Sequence, residues 1–313
     1  MNGNLKMDKK IDVAVIGIGH LGSWHAKDYA SLDKCRLVGV CDIHEERAKK
    51  TAKDYNCARY FDYRELAGKA EAVSIAVPTG LHHEIAKYFL SRGIHVLVEK
   101  PMVKTLKDAD ELIAIANEKH LILQVGHIER FNSAVMALAD VVHDPRFIEC
   151  DRLGPFTKRG TDIGVILDLM IHDIDIILSF VKSRVKEIQA VGINVLSDYE
   201  DIANVRLVFQ NGTICNLTAS RIANKQMRKI RMFQKDSYVS LDYIKQKVMI
   251  YKKSADRIVF RNLKIKKELP LRKELASFIG CVIEKKQPVM SGIEGRQALE
   301  VALEIQKKIK ENA

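Results

Sequence analysis

The stretch from Val13 to Asp42 constrains the fold more than any other part of the chain. Val13-Ala14-Val15-Ile16-Gly17-Ile18-Gly19-His20-Leu21-Gly22 sets three glycines in G-x-G-x-x-G spacing. They directly follow an apolar run and directly precede an amphipathic one. Gly17 permits a tight turn out of a strand, Gly19 lets the backbone approach a pyrophosphate, and Gly22 allows a helix to lie close against the strand. The helix start offers free N–H groups and a positive dipole end to phosphates. A second apolar run, Leu37–Cys41, ends in Asp42, 25 residues after Gly17. A carboxylate there accepts from both hydroxyls of an adenosine ribose and repels a 2′-phosphate. Glycines alone would be weak evidence; with the strand, the helix and the acid they predict a dinucleotide-binding unit and favour NAD over NADP. The residues after Asp42 are Ile43, His44 and Glu45, with no Arg or Lys immediately following, which supports that preference; a positive His44 would soften it. The other reading of Asp42 is a helix cap ahead of Glu45 and Glu46.

Strand and helix patterns alternate through the first part. Apolar runs at Val13–Ile16, Leu37–Cys41, Ala72–Val77, Val96–Val98 and Ile122–Val125 are separated by amphipathic stretches at His20–Ser31, Glu45–Tyr55, Leu81–Ser91 and Leu106–Glu118. Near-continuous apolar strands between helices predict a doubly wound parallel sheet of Rossmann type, with ligands at the carboxyl ends of its strands. After Gly126 the pattern changes. A helical stretch at Gly164–Phe180 precedes strand-like runs at Ile188–Val195, Ala203–Phe209, Thr213–Ser220, Lys229–Phe233, Tyr238–Leu241, Val248–Tyr251 and Ile258–Phe260. Asn211-Gly212 is a hairpin signal. Helices at Leu271–Glu284 and Gly292–Lys310 close the chain. The expected architecture is α/β: a Rossmann domain over residues 1–125, then an α+β domain over 126–313 with a large, mostly antiparallel open sheet.

Composition narrows the class further. The chain has 313 residues, 47% apolar and 29% charged, which suits a soluble globular protein. Met1 to Lys10 is polar and reads as frayed. No run approaches the roughly 20 apolar residues of a membrane helix, and no secretion signal is evident, so the expectation is a cytoplasmic protein without membrane insertion. The six cysteines show neither C-x-x-C pairs nor zinc-ligand spacing, which points to reduced thiols and no metal. Net charge is +11, and residues 225–273 carry 16 Lys/Arg against four acids. A solvated lysine-rich sheet face ranks first as the cause, and steering of an anionic small substrate second. Nucleic acid is a distant third, since no aromatic interleaving or nucleic-acid motif accompanies the run.

Two further segments carry chemistry. Glu99-Lys100-Pro101 stands at the end of a strand, where ligands of this fold lie. A lysine there is more often solvated than catalytic; its placement, with a cis bond possible before Pro101, raises the odds. In Asp162-Ile163-Gly164-Val165-Ile166-Leu167-Asp168-Leu169-Met170-Ile171-His172-Asp173-Ile174-Asp175, Asp168 and His172 are four apart and share a helical face. An Asp and a His in an otherwise apolar helix need partners or a polar cavity. A buried Asp–His hydrogen bond in the core is the alternative.

Taken together, the glycine motif, Pro78-Thr79-Gly80-Leu81-His82, Glu99-Lys100-Pro101 and Asp168…His172…Asp175 resemble the Gfo/Idh/MocA oxidoreductase family over nearly the whole chain. Two departures are the thinning of the glycines before the helix to Gly164 and Met170 where many members have Gly. The resemblance implies hydride transfer from a secondary alcohol carbon to the nicotinamide. It implies Lys100 as the catalytic lysine on the substrate hydroxyl, His172 as general base, and Asp168 beside the sugar, orienting or charging that pair. Thr79 and His82 would lie beside the cofactor or structure its loop. The cofactor set it implies is Gly17, Gly19, His20, Leu21, Gly22, Asp42, Ile43, Val77, Pro78, Thr79, His82, Glu99 and Lys100. Gln124-Val125-Gly126-His127-Ile128-Glu129-Arg130-Phe131-Asn132 and Ala219–Arg231 are similar to those members that oxidise UDP-N-acetylglucosamine at carbon 3, ahead of an aminotransferase in lipid A or surface-polysaccharide synthesis. Ser133 departs, where Pro follows the Asn. By that likeness Lys100, His127, Arg130, Asn132, Asp168, His172, Arg221 and Arg228 contact a nucleotide sugar. The resemblance also implies a homodimer or homotetramer formed through the second-domain sheet. A dehydrogenase of a free sugar, inositol or uronate, and a non-catalytic NAD-dependent sensor, are the competing readings.

Overall fold

The computed structural model describes residues 10–157, 163–254 and 257–312, in two compact units: Met1–Gly126 with Leu271–Arg296, and His127–Pro270 with Gln297–Ala313. Most of the expected frayed start, and Asp162 of the helix motif, lie outside the described residues.

The first unit runs β1 (Ile11–Ile16), α1 (His20–Ala30), β2 (Cys35–Cys41), α2 (Glu45–Tyr55), β3 (Ala58–Tyr60), β4 (Ala72–Ile75), α3 (His82–Ser91), β5 (His95–Glu99), α4 (Leu106–Glu118) and β6 (Leu123–Gly126). All six strands are parallel, in the order β3-β2-β1-β4-β5-β6. The order reverses between β1 and β4, so the helices leaving these strands diverge and open a crevice at their carboxyl ends. Strand β3 escapes the apolar pattern because Ala58-Arg59-Tyr60 is an exposed edge.

The second unit holds α5 (Ser133–Met136), β7 (Phe147–Leu153), α6 (Ile171–Val181), β8 (Val185–Ile193), β9 (Ile202–Phe209), β10 (Ile214–Ser220), β11 (Met227–Phe233), β12 (Ser237–Asp242), β13 (Lys247–Ser254) and β14 (Arg257–Asn262). The sheet order is β14-β13-β12-β11-β7-β10-β9-β8. Every pair is antiparallel except β7–β10. Strand β7 is central yet absent from the sequence reading, because the inward position that should continue Ile148 and Cys150 is an arginine, Arg152. One sheet face, with Val205, Leu207, Leu217, Ile230 and Met232, is buried in the core with Ile174 and Ile305. The other carries an aromatic ladder. Phe147, Phe233, Tyr238, Tyr251 and Phe260 are direct cross-strand partners, with successive ring centroids 5.5, 4.7, 4.9 and 6.4 Å apart. Such pairs fix register as well as adding contact energy. The basic run spreads over β11–β14 and the segment after them, and Lys252, Lys253, Arg257 and Arg261 are exposed, as the solvated-face reading expects.

The expected boundary at 125/126 needs one correction. Helix α7 (Pro270–Glu284) belongs to the first unit, and the last helix, α8 (Gly292–Glu311), changes unit after Arg296. Leu275, Phe278, Ile279 and Val282 are buried in one cluster with Val13, Val15 and Tyr29. Each such side chain contributes about 1.5–3 kcal/mol of burial free energy, so α7 completes the core of a sheet that precedes it by some 150 residues in the chain.

Candidate active site

The first unit presents a dinucleotide cradle. Gly17 has φ +85°, and a Cβ there would stand 2.6 Å from the Ala76 carbonyl oxygen; a Cβ on Gly22 would collide with the Gly17 carbonyl. A Cβ on Gly19 would meet nothing within 4 Å, which leaves that side of its backbone open to a ligand. Gly19 is the N-cap of α1 and supplies no side-chain cap, and the first turn, which includes His20 and Leu21, has no acid. This N-terminus therefore suits phosphate oxygens. Asp42, almost fully buried, accepts from the Ile18 amide through Oδ2 and from the His44 amide through Oδ1, both at 2.7 Å. It thus ties the glycine turn to the residue before α2; the N-cap of α2 is His44, and the helix has no side-chain cap bond. It also lines a cavity of about 600 Å³ together with Gly17, Gly19, Ile43, Val77 and Pro78. Ile43 is 83% exposed and offers apolar surface to a flat ring. Arg47 and Arg64 line the same cavity, which the three residues after Asp42 did not reveal; Arg64 is paired with Asp62 and Glu84. The residues present fit a dinucleotide.

Thr79 opens a short 3₁₀ turn, Thr79–Leu81, that leads into α3. His82 is buried, with Nδ1 3.0 Å from the Pro101 carbonyl and Nε2 2.8 Å from the Val77 carbonyl. Burial pushes its pKa down. It fastens the loop after β4 to the turn after β5, the second of the two roles weighed for it. The Lys100–Pro101 bond is cis. Lys100 is half-buried at the carboxyl end of β5, and its amide donates to the Glu99 carboxylate at 3.3 Å.

In the second unit Asp168 sits in a π-helical turn, Ile166–Met170, that runs directly into α6. Such turns recur at functional sites. Gly164 stands where a Cβ would enter the Glu200 carboxyl group. His172, 9% exposed, meets His127 edge to face at 5.9 Å between ring centroids. His127 Nδ1 is 4.0 Å from Asp175 Oδ2, and Arg130 grips Asp175 with two bonds of 2.7 and 2.9 Å. Beside them Arg152, fully buried, binds both oxygens of Asp173 at 2.7 and 2.8 Å and Glu129 at 3.0 Å.

Two residues expected at the substrate, Asn132 and Arg221, have their side chains engaged within the protein. Asn132 is buried and spends its amide on Glu129, the Tyr243 carbonyl and the Ala134 amide. Arg221 is buried against Asp201 at 2.6 Å, with further bonds to Ser197 Oγ and the Ile163 carbonyl. Asp201 also accepts from the amides of Val195, Leu196 and Ser197. These donors, with the Arg221 guanidinium, hold its carboxyl well below the usual range against the opposing effect of burial. Arg221 therefore secures a loop. Arg228 differs. It is half-buried on β11, opposite Arg152 in register, and its guanidinium makes no hydrogen bond or ion pair among the described residues. Burial and the neighbouring Arg152 pull its pKa down, while Glu129, Asp173 and Asp168 oppose this.

A dinucleotide cradle followed by a lysine at a strand end, with an Asp–His helix in the second unit, defines a nicotinamide-dependent oxidoreductase. Residues 11–127 match the model of the oxidoreductase family with an NAD-binding Rossmann fold, and residues 134–235 match the Gfo/Idh/MocA C-terminal domain. The chain belongs to the Gfo/Idh/MocA family, and its cofactor is NAD. UDP-N-acetylglucosamine 3-dehydrogenase of Acidithiobacillus ferrooxidans is 35% identical over 298 residues, covering 93% of this chain and 95% of that protein. Its solved structure superposes with a TM-score of 0.93 over 97% of this chain and 98% of that one, at 34% identity. Myo-inositol 2-dehydrogenase of Thermotoga maritima is 26% identical over 323 residues, 96% of each chain. Among the described residues no helix is long and apolar enough to cross a membrane.

Proposed function

We propose that the protein oxidises a secondary hydroxyl of a nucleotide sugar, carbon 3 of UDP-N-acetylglucosamine, to the 3-keto sugar, in the cytoplasm. The observation that carries this is Arg228: a half-buried cation without an anionic partner among the described residues, in the same unit as Asp168 and His172. A diphosphate supplies such a partner. The likeness to the Acidithiobacillus enzyme supports the sugar and the position. NAD, when bound, accepts the hydride. Lys100 holds the substrate hydroxyl and stabilises the alkoxide as it forms, and His172 takes the proton. Asp168 orients the sugar. Because a 3-keto sugar is readily drawn onward, an aminotransferase is its expected consumer. NADH formation from UDP-N-acetylglucosamine, pulled forward by such an aminotransferase, tests the reading; turnover of a free polyol with none of the nucleotide sugar would refute it.

The two arginines separate the electrostatic claim from a structural one. Arg228→Ala is expected to raise KM for the nucleotide sugar about 10–100-fold, since a charged hydrogen bond is lost, with the melting temperature little changed. Arg221→Ala is expected to do the reverse, lowering the melting temperature by leaving Asp201 buried without its cation. Steady-state kinetics and thermal melts on both variants decide. We further propose that two copies associate through the open face of the second sheet; the aromatic ladder from Phe147 to Phe260, with the exposed Ile258 and Val259 at the edge, supports it.

A further inference from the structure

Beneath Lys100, inside the first unit, lies a cluster of buried polar groups that hydride transfer does not use. His25 and Tyr29 come from α1, Ser74 from β4, Glu99 from β5, Gln124 from β6 and Glu274 from α7. All six are buried, and His25, Tyr29, Ser74, Gln124 and Glu274 have no exposed surface. His25 Nδ1 is 2.7 Å from Ser74 Oγ, and its Nε2 stands 3.1 Å from Glu99 Oε1, close but off the hydrogen-bond line. The Glu99 carboxylate turns back to accept from the Lys100 amide. It occupies the space a Cβ on Gly126 would need, 2.7–2.8 Å away. Gln124 Nε2 donates to the Glu274 carbonyl at 3.3 Å.

Glu274 is the unusual member. Neither carboxyl oxygen has a hydrogen-bond partner among the described residues, and the Tyr29 hydroxyl and Gln124 Oε1 are in the same position. Burial, then the nearby Glu99 carboxylate, raise its pKa well above the usual range. Tyr29 on α1 is the other titratable group that feels Glu274; Asp28 stands near His25 and Cys35 near Tyr29, while β4 and β6 contribute only neutral side chains. On α7 itself Arg272 is engaged with Ser31 at the surface, next to Lys273. A carboxyl group buried without a hydrogen-bond partner, and near enough to a second carboxylate to feel its charge, is driven to the neutral form. Polar atoms crowded in this way are commonly bridged by internal water.

We propose that Glu274 and Glu99 share a single negative charge, with Glu274 kept as the neutral acid, so that Glu99 can rest on His25 and on the Lys100 amide. Glu274 and His25 are then positioning residues acting through Glu99 on Lys100. The link to catalysis rests on the reading of Lys100 given above; the charge sharing does not. Ionising Glu274 would repel Glu99 from the Lys100 amide and lower turnover on the alkaline side.

The test compares wild type with Glu274→Gln, a neutral isostere, as NAD-bound protein. An unfolded glutamate ionises near a pKa of about 4.3. The stability that the neutral acid contributes is therefore complete below that value and is lost as pH rises towards the folded one. The expected result is a melting-temperature advantage of Glu274→Gln that is absent near about pH 5 and grows towards about pH 9. The alkaline limb of the kcat profile should move up by about one pH unit or more in the variant. In difference infrared spectra the wild type should keep a neutral carboxylic-acid carbonyl band at neutral pH, and Glu274→Gln should lack it. A pH-independent stability difference, superposed kcat profiles, or no such band would overturn the proposal. If Glu274→Gln does not fold, the wild-type band and its loss on alkaline titration decide alone. A growing stability gap together with normal turnover by Lys100→Ala would instead refute only the reading of Lys100.

Discussion

Replacing Lys100 with Ala is expected to lower kcat by about 10²–10³-fold while leaving NAD affinity within about threefold. The two readouts separate because they depend on different parts of one unit. On the proposed reading cofactor binding rests on the Gly17–Gly22 turn, the open start of α1 and Asp42, whose carboxylate is held by the Ile18 and His44 amides. On that reading the lysine ammonium acts later, when the substrate oxygen gains charge. A donor already in place at that moment needs no reorganisation, which is why its loss falls on kcat. Turnover by Lys100→Ala at the wild-type rate would remove Lys100 from the mechanism. Titration of NAD by protein fluorescence, followed by single-turnover kinetics with the nucleotide sugar, distinguishes the two effects.

A comparably large effect, on stability, is expected at Arg152. Arg152→Met should destabilise the second unit by about 3–5 kcal/mol, the usual cost of removing one partner from a buried ion group. That corresponds to a fall of about 10 °C in melting temperature for a unit of this size. The guanidinium is fully buried and holds both Asp173 and Glu129, while its Cζ lies 5.0 Å from the Tyr243 ring centre. Removing it strands two carboxylates in the core and relieves Arg228 of a like charge. Neutralising them in the triple variant Arg152→Met, Asp173→Asn, Glu129→Gln should recover much of the loss, because the penalty is that of unpaired charge. A single variant as stable as wild type would show that the group is hydrated.

What the sequence made legible follows from how local each cause is. The glycine turn could be read because its requirements, a positive φ at Gly17 and contact at Gly22, are met within ten residues. The strands of the first sheet other than β3 could be read because burial on both faces makes them continuously apolar. Strand β7 could not, since the burial of Arg152 is made tolerable by Glu129 and Asp173, neither of them adjacent in sequence. Its parallel pairing with β10 is likewise invisible to an argument from consecutive hairpins. Arg221 and Arg228 look alike in a basic run. Only Asp201, 20 residues before Arg221, tells them apart. Asp168 and His172 stand out in the sequence as polar residues in an apolar helix, but the π turn that holds Asp168 has no signature in their spacing. The buried position of Glu274 was missed for a similar reason: on a stripe with Leu275 and Phe278 it resembles a boundary residue until the helix is docked.

The return of α7 to the first sheet bears on how the protein comes off the ribosome. Synthesis proceeds from the amino end, and early domains ordinarily close while later ones are still being made. Here the cluster around Val13 and Tyr29 is finished by Leu275, Phe278, Ile279 and Val282, which emerge only after the whole second sheet has been translated. The nascent dinucleotide unit must therefore wait with one flank of its sheet uncovered, and a chain cut after the second sheet leaves that flank bare.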